Sequence, residues 1–241
     1  MGAIMPTVLV TGASRGIGLE LVRQYAADGW DVLATARDPE DSVGLAELSK
    51  KYGPKIKIHT LDVADEASIE DLADAVDGQA IDLLVNNAGT YPRKGMHIGE
   101  LDYEAWSETF ETNLFGVMRL TEALLENVAK SERKQIAAIS SGMGSLSAAA
   151  SGSVASMGAS YQYRTSKAAL NMAMLILSKE LAPRGISVAI ISPGWVKTDM
   201  GGTHAAITPQ VSVAGIKKIL DAGAVEISGK FLSYDGSAWA W

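Results

Sequence analysis

Cysteine is absent from the 241 residues. That excludes disulfide scaffolds, iron–sulfur clusters, thiolate zinc sites and a catalytic thiol, and it fits an expected cytoplasmic location. Basic residues are outnumbered: Lys and Arg total 21 against 28 Asp and Glu, a net charge of -7. A surface of that sign repels phosphate backbones, so no nucleic-acid partner is expected. Histidine is scarce. His59, His97 and His204 lie far apart and lack metal-ligand spacing, so no metal is expected. Long apolar runs are missing too. Ala168 to Ile176 contains Asn171 and stops at Ser178-Lys179-Glu180, short of the ~18 apolar residues of a membrane helix. Met1 to Val10 has no basic start, so neither a signal peptide nor a membrane partner is expected.

What is present suffices for a sizeable core: 47% of residues are hydrophobic. The punctuation alternates strand and helix. Val8-Leu9-Val10, Val32–Ala36, Lys55–Leu61, Ile81–Val85, Gln135–Ser140, Ile186–Ile191 and Lys230–Ser233 read as strands. Gly16–Ala27, Leu45–Tyr52, Ile69–Val76, Tyr103–Val128, Tyr163–Leu181 and Gln210–Leu220 read as helices. Strands apolar on both faces belong to parallel sheets covered by helices. The expectation is a single α/β domain over residues 1–241, a doubly wound parallel sheet of Rossmann type with helices on both faces. Ser145 to Ser160, rich in Ser, Ala, Gly and Met, reads as a loop within it.

Thr11-Gly12-Ala13-Ser14-Arg15-Gly16-Ile17-Gly18 follows the first strand and opens the first helix. Glycines there permit a tight turn and close approach of a pyrophosphate to backbone N–H groups at a helix N-terminus. The spacing is Gly-x-x-x-Gly-x-Gly, and a glycine-rich turn without a ligand has the same local look. Further motifs follow in order: Asn86-Asn87-Ala88-Gly89 after the fourth strand, Asn113 in the long helical region and Ser141 closing the fifth strand. Tyr163-Arg164-Thr165-Ser166-Lys167 and Pro193-Gly194 with Thr198 come after them. Together they resemble the short-chain dehydrogenase/reductase family over nearly the whole chain. Leu170-Asn171-Met172, the stretch Pro193 to Gly202 and the ending Ser228 to Gly236 are similar to its C-factor and sniffer-type carbonyl reductase subgroup.

The chemistry can be argued from the residues. Tyr163 and Lys167, at i and i+4, share a helix face. A tyrosine with pKa about 10 is a poor base; a nearby ammonium is expected to lower that pKa. Such a phenol donates a proton to a carbonyl or takes it back. Tyr161 also lies nearby, but only Tyr163 has a lysine at the right interval. The resemblance implies that Ser141 hydrogen-bonds the carbonyl oxygen. Ser140 is the alternative, although strand alternation turns it the other way. It further implies that Asn113 holds a water in a proton relay towards Lys167.

The resemblance places the cofactor on Gly12, Ser14, Arg15, Gly16, Ile17, Gly18, Asp62, Val63, Asn86, Ala88, Gly89, Tyr163, Lys167, Pro193, Gly194, Val196 and Thr198. At the end of the second strand an NAD enzyme carries an acid for the ribose hydroxyl. Here that position is Ala36, followed by Arg37, with Arg15 in the glycine loop. Two guanidinium groups suit a 2′-phosphate, so NADP(H) is expected. Asp38 is a complication, able to pair with Arg37 or reach a ribose. Asp62-Val63 also reads as a cap for the next helix.

Residues 142–162 put 21 positions between Ser141 and Tyr163, more than in many members of the resembling family. The excess, near 143–160, reads as a substrate-loop insertion. Trp195, Met143, Met200 and Tyr91 are candidates for an apolar pocket. Trp239 and Trp241 suit either a subunit interface or their own core. The expected function is NADPH-dependent reduction of a small-molecule ketone or aldehyde, or the reverse, by a homodimer or homotetramer. A nucleotide-binding signalling protein of C-factor type is the alternative, and an epimerase or dehydratase of the longer family branch is a second. The short C-terminal region and the glycine spacing argue against the latter.

Overall fold

The computed structural model describes residues 5–92, 95, 97–152, 160–222 and 224–241. Among them, seven strands form one sheet: β1 (Thr7–Val10), β2 (Asp31–Ala36), β3 (Ile56–Thr60), β4 (Leu83–Asn86), β5 (Gln135–Ile139), β6 (Ser187–Ser192) and β7 (Phe231–Ser233). Their order is β3-β2-β1-β4-β5-β6-β7, and every adjacent pair is parallel. The helices are α1 (Gly16–Ala27), α2 (Val43–Tyr52), α3 (Glu66–Ala75), α4 (Tyr103–Phe110), α5 (Gly116–Ala123), α6 (Leu125–Ala129), α7 (Leu146–Ala150), α8 (Tyr161–Glu180), α9 (Pro209–Asp221) and α10 (Ala224–Ile227). This is the doubly wound, Rossmann-type sheet that the strand–helix alternation predicts.

Alternation along each strand divides the core in two. Val8 and Val10 of β1 pack with Leu21, Tyr25, Leu45, Val213 and Ile216 of α1, α2 and α9. Leu9, between them, faces Leu72, Leu120, Leu170 and Met174 of α3, α5 and α8. Helix starts carry their own caps: the side chains of Ser42, Asp65, Asp102, Ser145 and Thr208 accept backbone N–H bonds in the first turns of α2, α3, α4, α7 and α9. β1 lies between β2 and β4, so the chain reverses its winding there, and a crevice opens at the carboxyl ends of the strands. No helix among the described residues is long and apolar enough to cross a membrane.

Two expectations need correction. The helical region Tyr103–Val128 is not continuous. A π-helical turn, Glu111–Phe115, separates α4 from α5, and a break at Leu124 precedes α6. The Ser145–Ser160 stretch is not wholly loop, because it opens with α7, capped by Ser145. Residues 153–159 of the expected insertion lie outside the described residues. Trp239 packs against the core of its own chain, and Trp241 is exposed.

Candidate active site

The crevice is a cleft of about 1140 Å³ running from the glycine loop to Tyr163 and Lys167. At its floor the chain leaves β1 with Gly12 at φ +64°, a conformation that disfavours any side chain. Gly18 is packed so closely that a Cβ would fall 2.2 Å from the Gly12 carbonyl oxygen. The Thr11 hydroxyl accepts from the N–H groups of Asn87 and Ala88, each at 2.9 Å. Asn87 Nδ2 donates back to the carbonyls of Thr11 at 2.8 Å and Gly12 at 3.2 Å. Unlike its neighbours, α1 has no side-chain cap and no acid in its first turn. Its N–H groups and positive end therefore face the cleft uncompensated, as an anionic ligand requires.

Of the expected cofactor residues, Gly12, Ser14, Arg15, Gly16, Ile17, Gly18, Arg37, Asp62, Val63, Ala88, Gly89, Tyr163, Lys167, Pro193 and Thr198 line this cleft. Three do not. Asn86, still in β4, points into the core, where its amide donates to the Thr121 hydroxyl at 3.1 Å. Strand alternation hands the cleft to Asn87 instead. Gly194 and Val196 sit behind the rim; Val196 is buried and bridges to Ile207. Lys197 and Met200 line the cleft and were not anticipated as cofactor residues.

The cationic end has two guanidinium groups. Arg37 lines the cleft, is exposed and has no ion-pair partner among the described residues, so Asp38 does not neutralise it. Arg15 pairs with Asp199 across the mouth at 2.9 Å, both side chains largely exposed. Asp62 does not cap the following helix. That role falls to Asp65, while Asp62 Oδ1 accepts from the Ala64 N–H.

At the other end, α8 presents Tyr163 and Lys167 on one face, both buried. Lys167 Nζ donates to the Ile139 carbonyl at 2.9 Å, where β5 ends. Ser141 lies beside Tyr163, whose pKa it acts to lower, and its hydroxyl accepts from the Met143 N–H at 3.1 Å. Ser140 is among the residues lining the cleft, but its hydroxyl is engaged, donating to Asn171 Oδ1. The Tyr91 ring lies 4.8 Å from that of Tyr163. Of the other apolar candidates only Met200 lines the cleft; the Trp195 indole is tied to the Gly201 carbonyl.

Asn113 is fully buried in the π-helical turn. Its Oδ1 accepts from the Thr90 N–H at 2.8 Å. Its Nδ2 donates to the Thr90 carbonyl and the Ser166 hydroxyl, both at 3.0 Å. Both side-chain donors are thus engaged by the protein. A Cβ on Gly89 would lie 3.3 Å from Asn113 Oδ1 and 3.6 Å from Lys167 Nζ, so the two groups converge behind Gly89.

Burial dominates the electrostatics. It pushes Tyr163 up to about 12, with Ser141 opposing and nearby Tyr91 reinforcing. It brings Lys167 down to about 8. The expectation that the ammonium lowers the tyrosine's pKa is not met by the protein alone. Desolvation sets the direction of the shift, and Lys167 Nζ stands 5.8 Å from the ring centroid. Near neutral pH the pair is a phenol beside an ammonium, an acid ready to donate.

A model of the short chain dehydrogenase family matches residues 6–206. The chain belongs to the short-chain dehydrogenase family. Among its relatives, C-signal of Myxococcus xanthus is 38% identical over 163 residues, covering 67% of this chain and 93% of that protein. The structure of NADPH-bound carbonyl reductase from chicken fatty liver superposes with a TM-score of 0.91 at 35% identity, covering 98% and 99% of the two chains. Carbonyl reductase Sniffer of D. melanogaster does so with a TM-score of 0.88 at 31% identity, covering 99% and 100%. The short-chain dehydrogenase motifs read from the sequence thus meet at one cleft here, which Gly12, Gly16, Gly18, Tyr163 and Lys167 line, whereas Asn86, Asn113, Ser141, Gly194 and Val196 are not among its lining residues.

Proposed function

We propose that this short-chain dehydrogenase is an NADP(H)-dependent carbonyl reductase. The observation that carries the reading is the buried Tyr163–Lys167 pair on one face of α8, with Ser141 beside the phenol, at the end of a cleft floored by uncompensated helix N–H groups. The residues present fit the cofactor. The α1 amides and Gly12–Gly18 would take the pyrophosphate, Arg37 and Arg15 the 2′-phosphate, and Asp62-Val63 the adenine. Lys167 would bind the nicotinamide ribose. NADP(H), when bound, supplies or accepts the hydride at the substrate carbon.

The protein handles the proton. The Ser141 hydroxyl donates a hydrogen bond to the carbonyl oxygen and stabilises its developing charge. The Tyr163 hydroxyl gives that oxygen its proton, leaving an alcohol and a phenolate. The Lys167 ammonium stabilises the phenolate. Asn113 fixes Thr90, and with it the Gly89 backbone, against Lys167. The alcohol oxidation is the same path reversed.

A ketone or aldehyde is the substrate of this single-domain enzyme. Exposed Phe115, Met172 and Ile176 support assembly as a homodimer or homotetramer, read by solution mass. A cytoplasmic location completes the reading. Likeness to C-signal supports a signalling reading second, but a sensor needs only the binding half of this site. The test is loss of NADPH absorbance with a panel of ketones, aldehydes and diketones. Tight NADPH binding without turnover across the panel favours the signalling reading.

A further inference from the structure

After β7 the chain turns at Ser233–Gly236 and runs back antiparallel along the sheet edge. Ala238 pairs with Leu232, and the Trp239 N–H donates to the Phe231 carbonyl at 2.9 Å. This strap, residues 237–241, lies over the turn that follows Ser141. The Trp239 ring stacks on Phe231, 6.1 Å between centroids, and closes over Gly142. A Cβ on Gly142 would fall 2.6 Å from its Cζ2 and 2.7 Å from its Cη2. The Ser145 hydroxyl donates to the Ala240 carbonyl at 2.6 Å, and the Ser147 N–H to the Trp241 carbonyl at 2.7 Å. On the opposite side the turn rests on α8. A Cβ on Gly144 would lie 2.8 Å from the Lys167 carbonyl carbon and 3.0 Å from the Ala168 nitrogen. The turn of residues 142–144 is therefore clasped between an indole and the backbone of Lys167.

We propose that Trp239 is a positioning residue, which presses the Gly142–Gly144 turn onto α8 and so sets Ser141 against Tyr163. The proposal rests on the reductase reading above. Ser141 opens this turn and accepts its Met143 N–H. A shift of the turn therefore moves the serine hydroxyl relative to the phenol, and a displacement of about 1 Å costs on the order of 100-fold in rate. Gly142 is glycine because the indole leaves no room for a methyl. The strap is a second support for the serine, reached from a part of the chain that carries no motif.

The test is a double-mutant cycle of Trp239→Ala and Gly142→Ala, with NADPH affinity measured for each folded variant. Each single variant is expected to lose about 10–100-fold in kcat with NADPH affinity level. One loses the clamp; the other drives the turn against the ring. In the double variant the methyl enters space the indole has left, so the loss is no larger than that of the worse single variant. The Ser147 amide, read by hydrogen exchange, exchanges faster in Trp239→Ala. Losses that multiply, an unchanged kcat in Trp239→Ala, or a kcat loss matched by equal loss of NADPH affinity would each overturn the proposal. If the unaltered chain reduces no carbonyl, the reductase reading fails separately. The Ser147 exchange rate then decides the strap: faster exchange supports the clasp, unchanged exchange overturns it.

Discussion

Asn113→Ala tests whether the π-helical turn holds the site together. Asn113 is fully buried and makes three hydrogen bonds, two to Thr90 and one to Ser166. An intramolecular hydrogen bond contributes about 1 kcal/mol net, and orphaned partners cost more, so the loss is roughly 3 kcal/mol. For a chain of this length each kcal/mol moves the melting temperature by about 2–4 °C, which gives a fall of about 6–12 °C. Calorimetry on the cofactor-free chain reads it directly. kcat on the folded variant should fall as well, because Thr90 and Gly89 would no longer be fixed against Lys167. Ser166→Ala removes one of the three bonds and should cost about a third as much. A melting temperature within about 2 °C of the unaltered chain would refute the assignment, as that corresponds to less than one hydrogen bond.

Other outcomes follow from the same geometry. Arg37→Ala should weaken NADPH binding about tenfold, the loss of one charge-assisted hydrogen bond, and leave NADH binding level; an equal loss for both would place Arg37 away from the 2′-phosphate. Gly18→Ala drives a methyl to 2.2 Å from the Gly12 carbonyl oxygen. It should cost about 1–3 kcal/mol of stability and disturb the glycine loop, seen as lower melting temperature and weaker NADPH binding. With Lys167 at about 8 and Tyr163 at about 12, both groups are protonated near neutral pH. Carbonyl reduction should therefore be level from neutrality downward and fall as pH rises through 8, as Lys167 loses its charge. A rate unchanged well above that pH would show that the ammonium is not needed.

Much of this was legible in the sequence, and the reasons are physical. Strands such as Leu83–Asn86 are apolar on both faces because helices cover both, so their runs stand out. Strand alternation gives Ser140 and Ser141 different neighbours, Asn171 for the one and Tyr163 for the other, and the same rule applied to Asn86 and Asn87 would have sent Asn86 inward. The π-helical turn at Glu111–Phe115 left no trace, since one extra residue in a helical turn alters neither composition nor period. The sign of the Tyr163 shift was misread because spacing shows the lysine neighbour but not the burial. The strap was invisible because its contacts span long sequence separations, such as Ser145 to Ala240.

The central claim is that Tyr163 supplies the proton in a hydride-transfer reaction. Tyr163→Phe keeps the buried ring and removes only the hydroxyl. Turnover with a ketone accepted by the unaltered chain, read as NADPH consumption, should be abolished while NADPH still binds. A variant that reduces the ketone at the original rate would contradict the account.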